Sequence, residues 1–177
     1  MILGIFTRWA AMANLPIMVG AVLLLAVAAE MAGQGAATTA KSMREDFAGV
    51  NQKVLTMAKD FPEDNYGFKL KPEMRTFGGV IVHIASGNIY AARAGRGEKV
   101  KWDEADPKDY KGKAAIVAML EKSINDADAS FKNVSDASLA KNVEPWLDVM
   151  EHSAEHYGLL VAYYRANGLV PPESRPK

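Results

Sequence analysis

Residues 149–176 read VMEHSAEHYGLLVAYYRANGLVPPESRP. Apolar side chains recur along this stretch at three- and four-residue steps, and the Asn-Gly pair at 167–168 is a typical helix stop. Pro145, a few residues upstream, suits the first turn of a helix. The pattern therefore predicts an amphipathic helix that starts near Pro145 and carries His152 and His156 one turn apart on one face.

Three further stretches show the same periodicity, and no stretch shows a convincing strand pattern. Together they predict an all-α fold, a four-helix bundle around a single core. The connection at 95–112 is polar, rich in helix breakers and long enough to run the length of a bundle, so the second and third helices can be parallel or antiparallel. The apolar pattern starts at Phe47 in the first helix, runs from Pro72 to Arg93 in the second and from Ile116 to Phe131 in the third.

The composition places the chain among ordinary globular proteins. It has 177 residues, of which 49% are hydrophobic and 24% charged, and 21 Lys and Arg balance 21 Asp and Glu. Such a neutral chain is not expected to bind nucleic acid, because that affinity comes from Lys and Arg on phosphates. The absence of cysteine excludes disulfides, thiolate metal sites and cysteine nucleophiles, so a metal would need His, carboxylate or carbonyl ligands.

The N-terminal segment has the layout of a secretory signal peptide. Arg8 precedes an apolar run that ends in the small-residue pattern Ala26-Val27-Ala28, so residues 1–28 are predicted to be removed on export to the periplasm or the exterior. The alternative is an uncleaved membrane anchor, since the uncharged run is just long enough to span a bilayer. Residues 29–40, rich in Gly, Ala and Thr, are predicted to be a flexible linker to a folded domain at 41–177.

Three histidines are the strongest candidates for chemistry. His83 lies among apolar residues midway along the predicted second helix, and His152 and His156 have the spacing with which one helix grips a metal. If the two helices face each other, the imidazoles would form an open site for Zn, Ni, Cu or Fe. The alternative is a set of core histidines that hydrogen-bond to their neighbours. Ser153 follows His152 where a zincin protease has Glu, which disfavours that class.

Other residues near the histidines are weaker candidates. Glu155, or Glu151 before it, could orient an imidazole or act as a catalytic base. The simpler explanation is that both carboxylates lie on the solvent-exposed face of the helix. Asn88 on the second helix could orient a ligand or pack in the core. Gly87 costs about 1 kcal/mol relative to Ala inside a helix, which indicates either close helix approach or room above a metal.

Two stretches closely resemble the DinB-like (DinB/YfiT) superfamily: PEMRTFGGVIVHIASGNIYAARAGRGE at 72–98 and VMEHSAEHYGLLVAYYRANGLVPPESRP at 149–176. The resemblance implies an up-down-down-up bundle, a divalent metal on His83, His152 and His156, and frequent homodimers. Characterised members include metal-dependent transferases and isomerases that use low-molecular-weight thiols such as bacillithiol or mycothiol. The apparent export signal departs from those cytosolic enzymes, because reduced thiols are scarce outside the cytoplasm.

Two functions of different classes are consistent with these features. The first is a metal-dependent enzyme, in which a divalent Zn, Ni or Fe ion on the three histidines activates water or a low-molecular-weight thiol for hydrolysis or transfer on a small molecule. The second is a non-catalytic metal- or ligand-binding helical module. An open coordination position would favour the enzyme, whereas a fourth protein ligand, with Glu155 as the candidate, would favour the module.

Overall fold

A computed structural model describes residues 38–176, which contain no β-strand. None of the helices in this part of the chain has the length and hydropathy that crossing a bilayer requires. The predicted signal segment and residues 29–37 of the predicted linker lie outside the described residues. The α-helices are α1 (Ala40–Asp60), α2 (Phe77–Gly95), α3 (Gly112–Lys132), α4 (Asp136–Leu139) and α5 (Glu144–Ala166), and 3-10 turns occupy Glu63–Asn65, Pro107–Asp109 and Pro172–Ser174.

α1 begins at Ala40, well before Phe47, because Thr39 caps it. The Thr39 hydroxyl accepts a hydrogen bond from the Ser42 amide at 3.1 Å, and the Ser42 hydroxyl accepts one from the Thr39 amide at 3.0 Å. This reciprocal capping box satisfies amides that a helix start otherwise leaves open. Ala40, which the sequence placed at the end of the linker, is therefore the first helical residue.

α2 begins at Phe77, so the prediction of a start at Pro72 was wrong. The chain before it turns instead, with the Met74 amide donating to the Lys71 carbonyl at 3.0 Å. Thr76 then caps α2, because its hydroxyl accepts from the amide of residue 79 at 3.0 Å. The Thr76 hydroxyl provides an acceptor for a backbone amide of the first turn that has no partner within the helix. A proline in the first turn merely lacks such an amide and provides no acceptor, so the threonine determines where the helix starts.

The third and fourth predicted helices are confirmed as α3 and α5. α3 contains the whole apolar stripe predicted at 116–131. α5 carries Pro145 in its first turn and ends at Ala166, just before the Asn-Gly stop. The connection between them holds the short helix α4, whose start is capped by the Ser135 hydroxyl.

α2 and α3 lie side by side and run parallel. Near their starts the backbones approach closely, since a Cβ at Gly78 would lie 2.9 Å from Ile116 Cδ1. Just beyond the end of α2, Arg96 donates to the Ser130 hydroxyl, near the end of α3, at 2.6 Å. The connection at 95–112 therefore returns the chain from one end of the bundle to the other.

α1 and α5 form the other parallel pair. Phe47 and Trp146, near the starts of the two helices, have ring centroids 6.5 Å apart. Tyr164, near the end of α5, donates from its hydroxyl to the Met57 carbonyl, near the end of α1, at 2.8 Å. The two helices are therefore in contact along most of their lengths.

The two pairs run in opposite directions, because the end of α1 meets the start of α2. Phe61, just after α1, stacks on Phe77, the first residue of α2, with ring centroids 3.8 Å apart. The topology is therefore up-down-down-up, as the family resemblance implied. This end of the bundle holds a buried aromatic cluster made of Phe61, Tyr66, Phe77, Tyr163 and Tyr164.

A second aromatic cluster fills the opposite end. Trp146 stacks on Phe131 with ring centroids 4.0 Å apart, and Phe47 meets both rings edge-on. Gly95 at the end of α2 leaves room for the indole, because a Cβ there would lie 2.3 Å from Trp146 Cζ2. The three histidines lie along α2 and α5 between the two clusters.

Candidate metal centre

The antiparallel contact of α2 and α5 brings the three histidines together. His83 on α2 faces His152 and His156 on α5, with ring centroids 4.7 and 4.8 Å away, and the two α5 rings are 4.5 Å apart. His83 Nε2 lies 2.9 Å from His152 Nε2. One ring nitrogen from each imidazole lies within 4.8 Å of the others, and all three side chains are half-buried. The predicted convergence is thus present in the fold.

Gly87, one turn after His83 on α2, makes room for this arrangement. A Cβ at Gly87 would lie 2.8 Å from both Nδ1 and Cε1 of His152. No side chain other than hydrogen fits there while the imidazole keeps its place. Of the two reasons proposed for this glycine, close helix approach is the one observed, because the His152 side chain of α5 lies against the α2 backbone at Gly87.

Burial makes the two α5 histidines poor bases. Burial, followed by repulsion from His156 and His83, lowers the pKa of His152 to about 4. The pKa of His156 is lowered by burial first and by His83 second. Both imidazoles are therefore neutral at pH 7, the state in which a ring nitrogen can donate its lone pair to a metal.

The connection at 95–112 supplies a carboxylate that the sequence did not point out. Glu104 Oε2 lies 3.0 Å from His83 Nδ1. Arg75, just before α2, grips the same carboxylate with both ends of its guanidinium, Nε to Oε1 at 3.2 Å and Nη2 to Oε2 at 2.9 Å. Burial alone would raise the pKa of Glu104, but Arg75 and His83 outweigh it and hold the pKa below its ordinary value.

The same connection places an aromatic ring beside the histidines. The Trp102 ring meets the rings of His83 and His152 edge-on, with ring centroids 5.6 and 6.2 Å away. The ring centroid of Tyr90 lies 5.9 Å from that of Trp102. The indole is 46% exposed, so it forms part of the solvent-facing side of the site. Glu104 does not differ in type from the acidic residues around it, and Trp102, although aromatic in a polar segment, belongs to no periodic pattern that would place it. The path of the connection across α2 decides where both residues lie.

A family model described as the DinB superfamily matches residues 46–163, about two thirds of the chain. The chain belongs to the DinB superfamily. The matched range contains all three histidines and most of the four long helices, so the family prediction is confirmed. A search of curated proteins finds no match for this chain.

The weaker candidate residues of this DinB-superfamily chain are outside the group of three histidines. Glu151 and Glu155 are exposed on α5, and a role for Glu155 stays a prediction. Asn88 is fully buried and donates to Asn51 on α1 and Ser123 on α3, at 3.1 and 3.3 Å. Asn88 therefore packs between helices rather than orienting a ligand.

The donor set fits a divalent transition metal. Neutral imidazole is a common ligand of such ions, and a tetrahedral ion with nitrogen ligands at about 2.0–2.1 Å holds them ~3.3 Å apart. The ring nitrogens here are 2.9 Å apart in the closest pair and at most 4.8 Å apart overall. Among residues 38–176, no carboxylate joins this group, since Glu104 is turned to the outer nitrogen of His83 and to Arg75.

Proposed function

We propose that this DinB-superfamily protein is a metal-dependent enzyme, in which His83, His152 and His156 hold one divalent Zn, Ni or Fe ion. The proposed reaction is hydrolysis or group transfer on a small molecule, with water or a low-molecular-weight thiol as the nucleophile. The observation that carries the proposal is the convergence of the three imidazoles from α2 and α5.

A divalent ion on three imidazoles supplies Lewis acidity, which lowers the pKa of a water or thiol that reaches it. The residues of this chain supply the rest of the site. The lowered pKa of His152 keeps its lone pair available at neutral pH. The His83 side chain is only 14% exposed, and the 46% exposed Trp102 lies beside it. Such a partly enclosed site suits a small substrate.

A purely structural metal site is the competing function, and the carboxylates weigh against it. A structural ion is closed by a fourth protein ligand. Glu104 is engaged by His83 and Arg75, and Glu155 is exposed to solvent. The grouping of only the three imidazoles among the described residues supports an ion that would keep a position for water, a thiol or a substrate.

Metal analysis of the full-length protein tests the proposal. We expect about one equivalent of transition metal per chain in the wild type and its loss in His152→Ala, because the variant removes one of three ligands. Asp148→Asn is the matched control, since it changes an exposed carboxylate on the same helix that is not a candidate for the site. The metal-loaded protein is then assayed with thiol cofactors and with hydrolysable esters and amides. No metal in any of the three proteins would overturn the proposal.

We further propose that the chain is exported, with residues 1–28 as a signal peptide, and that it acts as a homodimer. The uncharged apolar run after Arg8 supports export, and the family resemblance supports dimers. N-terminal sequencing of the protein recovered outside the cytoplasm distinguishes a cleaved signal from a retained membrane anchor. Light scattering of the same material measures the mass of the assembly.

A further inference from the structure

The Glu104 carboxylate lies between the imidazole of His83, a candidate metal ligand, and the guanidinium of Arg75. This carboxylate, 26% exposed, lies 3.0 Å from His83 Nδ1 through Oε2 and accepts two hydrogen bonds from the Arg75 guanidinium. A carboxylate that pairs with a guanidinium in this bidentate way is ionised and can only accept hydrogen bonds. In this structure His83 Nδ1 is buried without an aligned hydrogen-bond partner, and the Glu104 carboxylate, 3.0 Å away, is an acceptor within reach, so a hydrogen held between the two belongs to the imidazole.

This arrangement selects one tautomer of His83. With its hydrogen on Nδ1, the neutral ring carries a lone pair on Nε2. Nε2 is the atom that faces the other histidines, 2.9 Å from His152 Nε2. We infer that Glu104 is a positioning residue that fixes the Nδ1–H tautomer of His83 and so presents Nε2 as a metal ligand. The inference rests on the proposed metal site and adds to it a residue from outside the helices.

Glu104 is itself anchored from two helices. The amide of Ala105, the next residue, donates to the Ser86 hydroxyl on α2 at 3.2 Å. Arg75 is held in turn, because its carbonyl accepts a hydrogen bond from the Tyr163 hydroxyl on α5. The carboxylate therefore has a fixed place relative to both helices that carry the histidines. Mutation of a residue that orients a metal-binding imidazole in this way typically lowers metal affinity by about 10–100-fold.

Titration with Zn²⁺, and with Co²⁺ as a spectroscopic probe, tests this inference on the full-length protein. We expect Glu104→Ala to weaken binding of both ions by about 10–100-fold. Glu104→Gln should restore part of the affinity, because its amide oxygen still accepts from His83. Asp103→Ala is the matched control, as it removes an exposed carboxylate from the adjacent position and should bind like the wild type. Wild-type affinity in Glu104→Ala, together with loss of binding in His83→Ala, would overturn the positioning role and leave the metal site standing.

A second measurement needs no variant. Long-range ¹H–¹⁵N NMR spectra of the metal-free wild type distinguish the two neutral histidine tautomers. We expect His83 as the Nδ1–H tautomer, with its Nε2 resonance moving when Zn²⁺ is added. An Nε2–H tautomer in the metal-free protein would overturn the inference even if Glu104→Ala failed to fold. Absence of any metal binding by the wild type would instead overturn the metal site and this inference together.

Discussion

Gly87 shows how a single missing side chain shapes the candidate metal centre. Its α-hydrogen leaves the space that the His152 imidazole occupies, and a Cβ would come within 2.8 Å of two ring atoms. Helix propensity alone favours Ala over Gly by about 1 kcal/mol, so the glycine is costly unless the imidazole needs the space. Helix stability therefore favours Ala at position 87, whereas the position of the His152 ring requires Gly.

Gly87→Ala should weaken metal binding at least tenfold, because the new methyl group displaces the His152 ring from the other two imidazoles. Gly158→Ala is the matched control: it lies on α5, no atom approaches its Cβ within 4 Å, and it should gain up to about 1 kcal/mol of stability with unchanged metal affinity. Metal titration and urea unfolding of the metal-free proteins measure both effects. Equal metal affinity in the two variants would contradict this account of Gly87.

The sequence was sufficient to predict which histidines converge, but not the residues around them. His83 lies in an apolar helix and His152 and His156 lie one turn apart, so helical periodicity alone predicts that they share an interior. Glu104 and Trp102 come from a segment without periodicity. Their positions depend on where the Ser86 hydroxyl and Arg75 attach that segment to α2, which only the tertiary structure shows.

At the scale of elements, the connection at 95–112 acts as a part of the site rather than as a spacer. One attachment point is the Ser86 hydroxyl, which donates to the Val82 carbonyl and accepts from the Ala105 amide. Ser86 is almost fully buried, so the Ala105 amide finds there a partner shielded from water. The attachment fixes the residue that follows Glu104.

Ser86→Ala should loosen this attachment without unfolding the bundle. The loss of one buried hydrogen bond costs about 1 kcal/mol, and the Ala105 amide should exchange its hydrogen faster with solvent. We expect metal affinity to fall by less than in Glu104→Ala, because Arg75 still holds the carboxylate. Thr56→Ala, which removes a hydroxyl that bonds to the Gln52 carbonyl within α1, is the control. Unchanged exchange at Ala105 would contradict the role of Ser86.

Helix boundaries were the less predictable part of the elements. The apolar stripes identified all four long helices, because each buries one face. The starts of two helices depend instead on single hydroxyls, Thr39 for α1 and Thr76 for α2. At α2, capping by Thr76 prevails over the preference of Pro72 for a first helical turn. The length of the 95–112 connection left the direction of α3 open, and the close approach at Gly78 settles it.

At the scale of the whole molecule, the chain after α5 folds back onto the end of α1. Arg175 pairs with the Asp60 carboxylate through both of its terminal nitrogens. The Tyr164 hydroxyl lies 3.1 Å from the same carboxylate and shares its single hydrogen between that oxygen and the Met57 carbonyl. The Arg175 guanidinium lowers the pKa of Asp60, against a smaller opposing effect of burial. Asp60 thus links α1 to both α5 and the C-terminal segment.

This link predicts a pH dependence. A carboxyl whose pKa is lower in the folded than in the unfolded state stabilises the fold above its unfolded value, near 4, and loses that contribution as the pH falls through its folded pKa. Arg175→Gln should therefore be less stable than the wild type at pH 7, and the difference should shrink below pH 4. Urea unfolding at pH 7, 4 and 3 measures it. A difference that stays constant down to pH 3 would exclude Asp60 as the partner.

The parallel pairing of α1 and α5 also determines how the domain bears load. The described chain starts at one end of the bundle, and α5 ends at the other, beside the end of α1. A force that pulls these two ends apart therefore slides α1 along α5 and strains their contacts together, instead of separating them one turn at a time as in an antiparallel hairpin. A pull on the C-terminal segment meets the Arg175–Asp60 pair first and then this sheared contact.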